Sequence, residues 1–185
     1  MQNIEIKAYL RDPAAMAHRA EVVGATRRGE LRQRDTFFHV PRGYLKLREI
    51  EGQAGELIAY TRDAGSGPRA SDYVVAQLGE TRRLCEALTR SLGVRGRVEK
   101  VRTLYLWKHT RIHLDEVAGL GTFLELETVM DRIDRDAAEA EAGSLIRALD
   151  LDPGTFLDVP YLELLEVRGG IMPLATEVSL QEEMR

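Results

Sequence analysis

Polar and charged residues recur at every second position in five separate segments of this chain, and that alternation constrains the fold more than any other feature. Asn3, Glu5 and Lys7 share one parity, while Ile4, Ile6 and Ala8 share the other. Lys46 and Arg48 alternate with Leu45 and Leu47, and Lys100 and Arg102 flank Val101. Arg111, His113 and Asp115 alternate with Ile112 and Leu114, and Glu125 and Glu127 with Leu124 and Leu126. A period of two is the signature of β-strands, whose successive side chains point to opposite faces. Each segment therefore has one charged and one apolar face.

The rest of the chain supplies turns and helices around these strands. Asp12-Pro13 is a helix start, with Asp as N-cap, and Gly24 is a fitting end. Residues 26–40, 44–50 and 56–62 read as antiparallel strands joined by turns at Pro41-Arg42-Gly43 and Glu51-Gly52-Gln53. The Gly- and Ser-containing stretch 63–68 reads as a mobile loop, with residues 70–78 as the next strand. Residues 80–92 carry Leu84, Ala87, Leu88 and Leu92 at helical spacing. Strands are expected at 98–107, 110–117 and 122–129, a helix at 134–149, and short helical turns near Asp152-Pro153 and Tyr161. About eight strands with three or four helices give an α+β chain whose strands close into an antiparallel barrel.

Two arrangements satisfy the alternation. The charged faces can meet water while the apolar faces form the core, which is the ordinary outcome for any single strand. Alternatively, helices cover the apolar faces and the charges line a tunnel. Three amphipathic helices require an apolar surface to pack on, which favours the tunnel. The distribution of sign favours it too: carboxylates fall on the first and last two strands, and cations on the strands between. Burying so many charges without partners is prohibitive. A polyphosphate with bound Mg²⁺ or Mn²⁺ answers both signs, since Lys and Arg take phosphate oxygens and hard carboxylate oxygens take the metal.

The bulk properties narrow the class further. A chain of 185 residues with net charge −4 suits one soluble domain and does not suggest a general nucleic-acid binder. Cys85 is the single cysteine, so no internal disulfide can form, and it reads as a core filler. No apolar run reaches the roughly 20 residues of a membrane span, and the charged N-terminus is unlike a signal peptide. A cytoplasmic location, with no membrane partner, is expected.

Taken in order, these segments resemble the CYTH family, also called triphosphate tunnel metalloenzymes, which includes class IV adenylyl cyclases, thiamine triphosphatases and inorganic tripolyphosphatases. The family's N-terminal Glu-x-Glu-x-Lys strand corresponds to Asn3-Ile4-Glu5-Ile6-Lys7, with Asn3 in place of the first Glu. Lys46-Leu47-Arg48 resembles its basic pair on the third strand, and Lys100-Val101-Arg102 with Tyr105 its later basic strand. Residues 111–127 resemble its final hairpin, especially in the class IV cyclase branch. The resemblance spans residues 2–166, placing a triphosphate tunnel domain at 1–167 and a C-terminal tail at 168–185.

The resemblance implies an eight-stranded antiparallel barrel open at both ends, with a triphosphate threaded through it. It implies Glu5, Asp115, Glu125 and Glu127 as metal ligands for Mg²⁺ or Mn²⁺. Lys7, Lys46, Arg48, Arg62, Lys100, Arg102 and Arg111 would hold phosphates, with Lys7, Arg102 and Arg111 the candidates for direct catalytic roles. Asn3 lowers the charge available to a second cation, and Glu127 is expected to compensate. His113 shares the tunnel parity, whereas His18, His39 and His109 read as surface residues.

Three activities fit this pattern. One is hydrolysis, in which water attacks the terminal phosphorus of tripolyphosphate, a nucleoside triphosphate or thiamine triphosphate. The second is cyclisation of ATP to cyclic AMP and pyrophosphate. The third is polyphosphate or nucleotide binding without turnover. Hydrolysis is the favoured expectation, the partner being a triphosphate-containing small molecule, with a homodimer as an open possibility.

Overall fold

The computed structural model describes residues 2–62 and 69–169, with the backbone alone at 62, 69 and 70. The loop at 63–68 and the tail from 170 onward lie outside the described residues.

Eight strands form one closed antiparallel barrel: β1 (Gln2–Tyr9), β2 (Thr26–Phe38), β3 (Tyr44–Ile50), β4 (Gly55–Arg62), β5 (Arg69–Leu78), β6 (Val94–Trp107), β7 (Thr110–Val117) and β8 (Gly121–Val129). Around the ring the order is β1-β5-β4-β3-β2-β6-β7-β8. The first and last strands are therefore neighbours, with Glu5 opposite Glu127 and Lys7 opposite Glu125. On the far side of the ring, β3 and β6 flank β2.

The helices are α1 (Pro13–Val22), α2 (Arg82–Leu92), α3 (Arg135–Ala148) and α4 (Tyr161–Val167). Asp12 and Asp134 cap α1 and α3, accepting from the backbone N–H groups of Ala15 (2.9 Å) and Ala137 (2.8 Å). These two helices cover the outer face of the barrel. Ile4 and Ile6 of β1, Ile112 and Leu114 of β7, and Leu124 and Leu126 of β8 pack there with Met16, Ala20, Ala138, Ala142 and Leu145. The apolar parity thus points outward under helices, and the charged parity points into the lumen. Of the two arrangements open to the sequence, the barrel takes the second.

α2 is amphipathic but contributes no buried residue, so Cys85 is half-buried at the surface of the barrel rather than in its core. β6 begins at Val94, four residues before the expected position of 98. Gly93 follows the end of α2, and Gly96 lies within β6, paired with Phe37 of β2. A Cβ at Gly96 would stand 2.6 Å from Leu162 Cδ1, so glycine there makes room for α4.

α4 packs into one end of the lumen. Tyr161, Leu162 and Leu165 join Phe37, Tyr60, Val98, Val117 and Phe123 in a second apolar cluster. Tyr44 Oη donates to Glu163 (2.5 Å), and Arg95 holds Glu166 through two bonds of 2.9 Å. At this end the lumen is cup-like, with the apolar side chains of α4 as its floor.

Candidate active site

Two walls of opposite sign face each other inside the barrel. β1 and β8 carry Glu5, Glu125 and Glu127, while β3, on the far side of the ring, carries Lys46 and Arg48, and β6, separated from β8 by β7, carries Lys100 and Arg102. Closure of the ring makes this geometry, because it turns the two chain-terminal strands into one continuous surface.

The cationic wall is internally paired. Arg102 donates Nε and Nη2 to the two oxygens of Asp115, both at 2.6 Å, and Lys100 Nζ donates to Asp115 Oδ2 at 3.0 Å. Tyr161 Oη adds a fourth bond to the same carboxylate at 3.0 Å. Burial pushes the Asp115 carboxyl up, but Arg102 and Lys100 outweigh it and hold it below the ordinary carboxylate range. Asp115 is 1% exposed and faces these cations and Tyr161.

A second carboxylate does the same on the neighbouring strands. Asp35 of β2 accepts Arg48 Nε (2.7 Å), Arg48 Nη2 (2.8 Å) and Lys46 Nζ (2.8 Å). Burial raises the Asp35 carboxyl, yet Arg48 and Lys46 bring it well below its usual value. Burial, with Arg48 beside it, lowers Lys46 to about 7, because Asp35 is shared with the stronger base. Lys100 is lowered to about 8 by burial and by Arg102, with Asp115 opposing.

On the carboxylate wall, Glu125 lies 3.4 Å from Lys7 Nζ, 3.3 Å from Arg102 Nη2 and 3.6 Å from His113 Nδ1. Lys7 Nζ also lies 3.4 Å from Glu5 and 4.4 Å above the Tyr161 ring. Glu127 accepts Arg111 Nη1 at 3.2 Å and Asn3 Nδ2 at 2.5 Å. The Arg111 side chain is 44% exposed, which places it at the open mouth. Burial, reinforced by Arg102, pushes the His113 imidazole below its ordinary value, so it is a neutral wall residue.

Among the described residues, no three His, Cys, Asp or Glu side chains are gathered tightly enough to hold a metal ion as they stand. The donor chemistry of the carboxylate wall nevertheless fits a hard divalent cation. Asn3 is 3% exposed; its amide N–H donates to Glu127, and its Oδ1 has no hydrogen-bond partner among the described residues. That orphaned oxygen lies beside Glu127, itself directly across from Glu5. An unsatisfied buried acceptor is costly, and a cation bound by Asn3, Glu5 and Glu127 would relieve it.

The lumen thus gathers Glu5, Lys7, Lys46, Arg48, Lys100, Arg102, Asp115, Glu125 and Glu127, with Arg111 at its mouth. The Arg62 side chain lies outside the described residues, as does the Arg69 side chain beside the same loop. His18, His39 and His109 are exposed, as expected from sequence. Sequence reasoning missed Asp35, Gln33 and Tyr161. On β2 the conspicuous charges are Arg32 and Arg34, both exposed, and they mask the opposite parity of Gln33 and Asp35. Tyr161 sits on a helix of seven residues with no parity to read.

A closed barrel with facing cationic and carboxylate walls defines a class of protein built to hold a polyanion together with a cation. The chain belongs to the CYTH family, whose domain model matches residues 1–163 and whose members are metal-dependent enzymes acting on triphosphates. A Methanocaldococcus jannaschii protein provisionally named an adenylate cyclase is 32% identical over 68 residues, which is 36% of this chain and 39% of that relative. A solved protein of Pyrococcus horikoshii superposes with a TM-score of 0.80 at 21% identity, covering 88% of this chain and 98% of that one. A Hippeastrum protein described as having a dominant triphosphatase activity superposes with a TM-score of 0.60 at 16% identity, covering 94% of this chain and 99% of that one. No helix among the described residues is long and apolar enough to cross a membrane.

Proposed function

We propose that this chain is a metal-dependent triphosphatase that hydrolyses the terminal phosphate of tripolyphosphate, a nucleoside triphosphate or thiamine triphosphate. The observation that carries the reading is the cup itself, with Lys46, Arg48, Lys100 and Arg102 facing Glu5, Glu125 and Glu127 across a lumen whose floor is apolar.

Phosphoryl transfer needs placement and charge neutralisation more than covalent chemistry. Lys46, Arg48, Lys100 and Arg102 spread the charge of the phosphate oxygens from one side. Lys7, set between Glu5, Glu125 and the Tyr161 ring, reaches the chain of phosphates from the other. Arg111, at the mouth, meets whichever end of the substrate remains outside. Glu5, Glu125 and Glu127 with the Asn3 amide oxygen would hold Mg²⁺ or Mn²⁺, which supplies Lewis acidity to the phosphate oxygens. Asp115 belongs to the same expected ligand set, and in this geometry it serves the cations first.

The second reading is cyclisation of ATP, favoured by the likeness of the final hairpin to the class IV cyclases and by the name of the M. jannaschii relative. Trp107 packs outside the barrel with its indole N–H on Val23 O (3.0 Å), and Phe38 is fully buried, so neither is offered to a purine, whereas Phe37, Tyr60 and Tyr161 line the lumen.

³¹P NMR of the purified protein with Mg²⁺ or Mn²⁺ and each triphosphate in turn tests the proposal. Orthophosphate with the matching diphosphate is the expected product. Pyrophosphate with cyclic AMP from ATP would replace hydrolysis by cyclisation, and binding without turnover would leave a polyphosphate receptor.

A further inference from the structure

Asp35 lies on β2, in the middle of the cationic wall, and belongs to neither the metal-binding set nor the phosphate-binding set derived above. Its surroundings repeat a pattern found once more in the barrel. Arg48 is the direct cross-strand partner of Asp35, and Arg102 is the direct cross-strand partner of Asp115. In each pair the guanidinium gives Nε to Oδ1 and Nη2 to Oδ2, and the lysine two residues earlier on the arginine's strand bonds Oδ2. The module is therefore Lys-x-Arg on one strand with Asp facing the Arg on the next. It occurs twice, from chain segments unrelated by any repeat legible in the sequence.

We propose that Asp35 is a positioning residue for phosphate binding, setting Lys46 and Arg48 into one rigid cradle that duplicates the cradle of Lys100 and Arg102 on Asp115. The inference rests on the triphosphate reading above. In the cradle, Arg48 keeps only Nη1 free of Asp35, with Glu56 at 4.0 Å, so its remaining N–H edge is aimed rather than free to rotate. Each long side chain carries rotamer entropy, which Asp35 removes before the ligand arrives. Asp35 also keeps the Lys46 ammonium charged in a crowded place. Arg48 of the same strand and Lys100 of β6 oppose that charge, Asp35 of β2 supports it, and the Phe37 and Tyr60 rings stand 5.4 Å and 5.5 Å from Nζ. Asp35 is 3% exposed, and its side-chain hydrogen bonds among the described residues come from Lys46 and Arg48, so its function is exercised through them.

The test is the affinity of inorganic tripolyphosphate, with Mg²⁺ present, measured by calorimetry at about pH 6 and about pH 8.5 for the wild type, Asp35→Asn and Asp35→Glu. Removing a carboxylate that only opposes the polyanion would tighten binding equally at both pH values. Loss of packing alone would weaken it equally. A positioning role that also holds the Lys46 proton gives a different result. The ratio of Asp35→Asn to wild-type affinity falls about tenfold from the lower to the higher pH, the size expected when an ammonium loses one unit of support. Asp35→Glu, which keeps the charge but displaces it, shows the wild-type pH dependence with weaker binding at both values. A pH-independent Asp35→Asn ratio, or Asp35→Glu binding identical to wild type, overturns the inference while the function stands. Wild-type protein that ignores tripolyphosphate at both pH values overturns the function and the inference together.

Discussion

Glu5 on β1 is the direct cross-strand partner of Glu127 on β8, a like-charge pair facing into the lumen. Opposed like charges on adjacent strands are destabilising by a few tenths to about 1 kcal/mol. Divalent metal relieves this repulsion, so Mg²⁺ or Mn²⁺ raises the melting temperature of the substrate-free protein. Glu127→Gln removes the repulsion but gives up the Arg111 ion pair, which costs the metal-free protein some stability, and abolishes most of the metal-induced rise. Thermal melts of both proteins, with and without metal, check this. An undiminished metal effect in the variant would remove Glu127 from the ligand set.

Asn3 and Glu127 form a matched pair, the amide donating to the carboxylate at 2.5 Å. Asn3→Glu restores the family motif but places a second carboxylate against Glu127. Leaving a buried charge in like company costs on the order of 1–3 kcal/mol. Chemical denaturation without metal is expected to show that loss, and saturating Mn²⁺ to recover most of it. If the loss persists unchanged in Mn²⁺, the cation does not sit between these two residues.

Lys46 and Lys100 carry folded-state values of about 7 and about 8, both depressed by burial beside an arginine. Between those values and about 10.4, the ordinary lysine value, the unfolded chain binds more protons than the folded one. Stability from these two groups therefore rises with pH across that window and is least below pH 7. Tripolyphosphate reverses the shift by supplying negative charge, so binding near neutral pH takes up protons and weakens as pH increases. Calorimetry in buffers of differing ionisation enthalpy reads the proton count directly. Proton release, after correction for the ligand's own titration, would contradict the assignment of these lysines to phosphate.

The floor of the cup depends on α4. Leu162 is 1% exposed, and Leu162→Ala leaves a cavity costing about 2–5 kcal/mol. Tyr161→Phe removes one of four bonds to Asp115, and the other three come from cations, so the cost is smaller, about 0.5–1.5 kcal/mol. Urea denaturation ranks the two. A larger loss for Tyr161→Phe would mean that the hydroxyl, rather than the apolar packing, secures the helix.

The sequence by itself determined the strands, their parity, the cap of α1, and the identities of most charges in the lumen. Those features are local: period-two alternation, Asp-Pro starts and Gly turns act within a few residues. Tertiary structure decided what no local pattern encodes. Ring closure set Glu5 beside Glu127 and opposed both to the basic strands, choosing the tunnel over the solvated sheet. It also brought Asp35 under Arg48 and Tyr161 onto Asp115, contacts whose value comes from desolvation, which exists only once the barrel has closed. Gly96 shows the same division: the sequence predicts the strand only from residue 98, and the arrival of Leu162 from the far end of the domain explains why the chain at Gly96 pairs without a side chain.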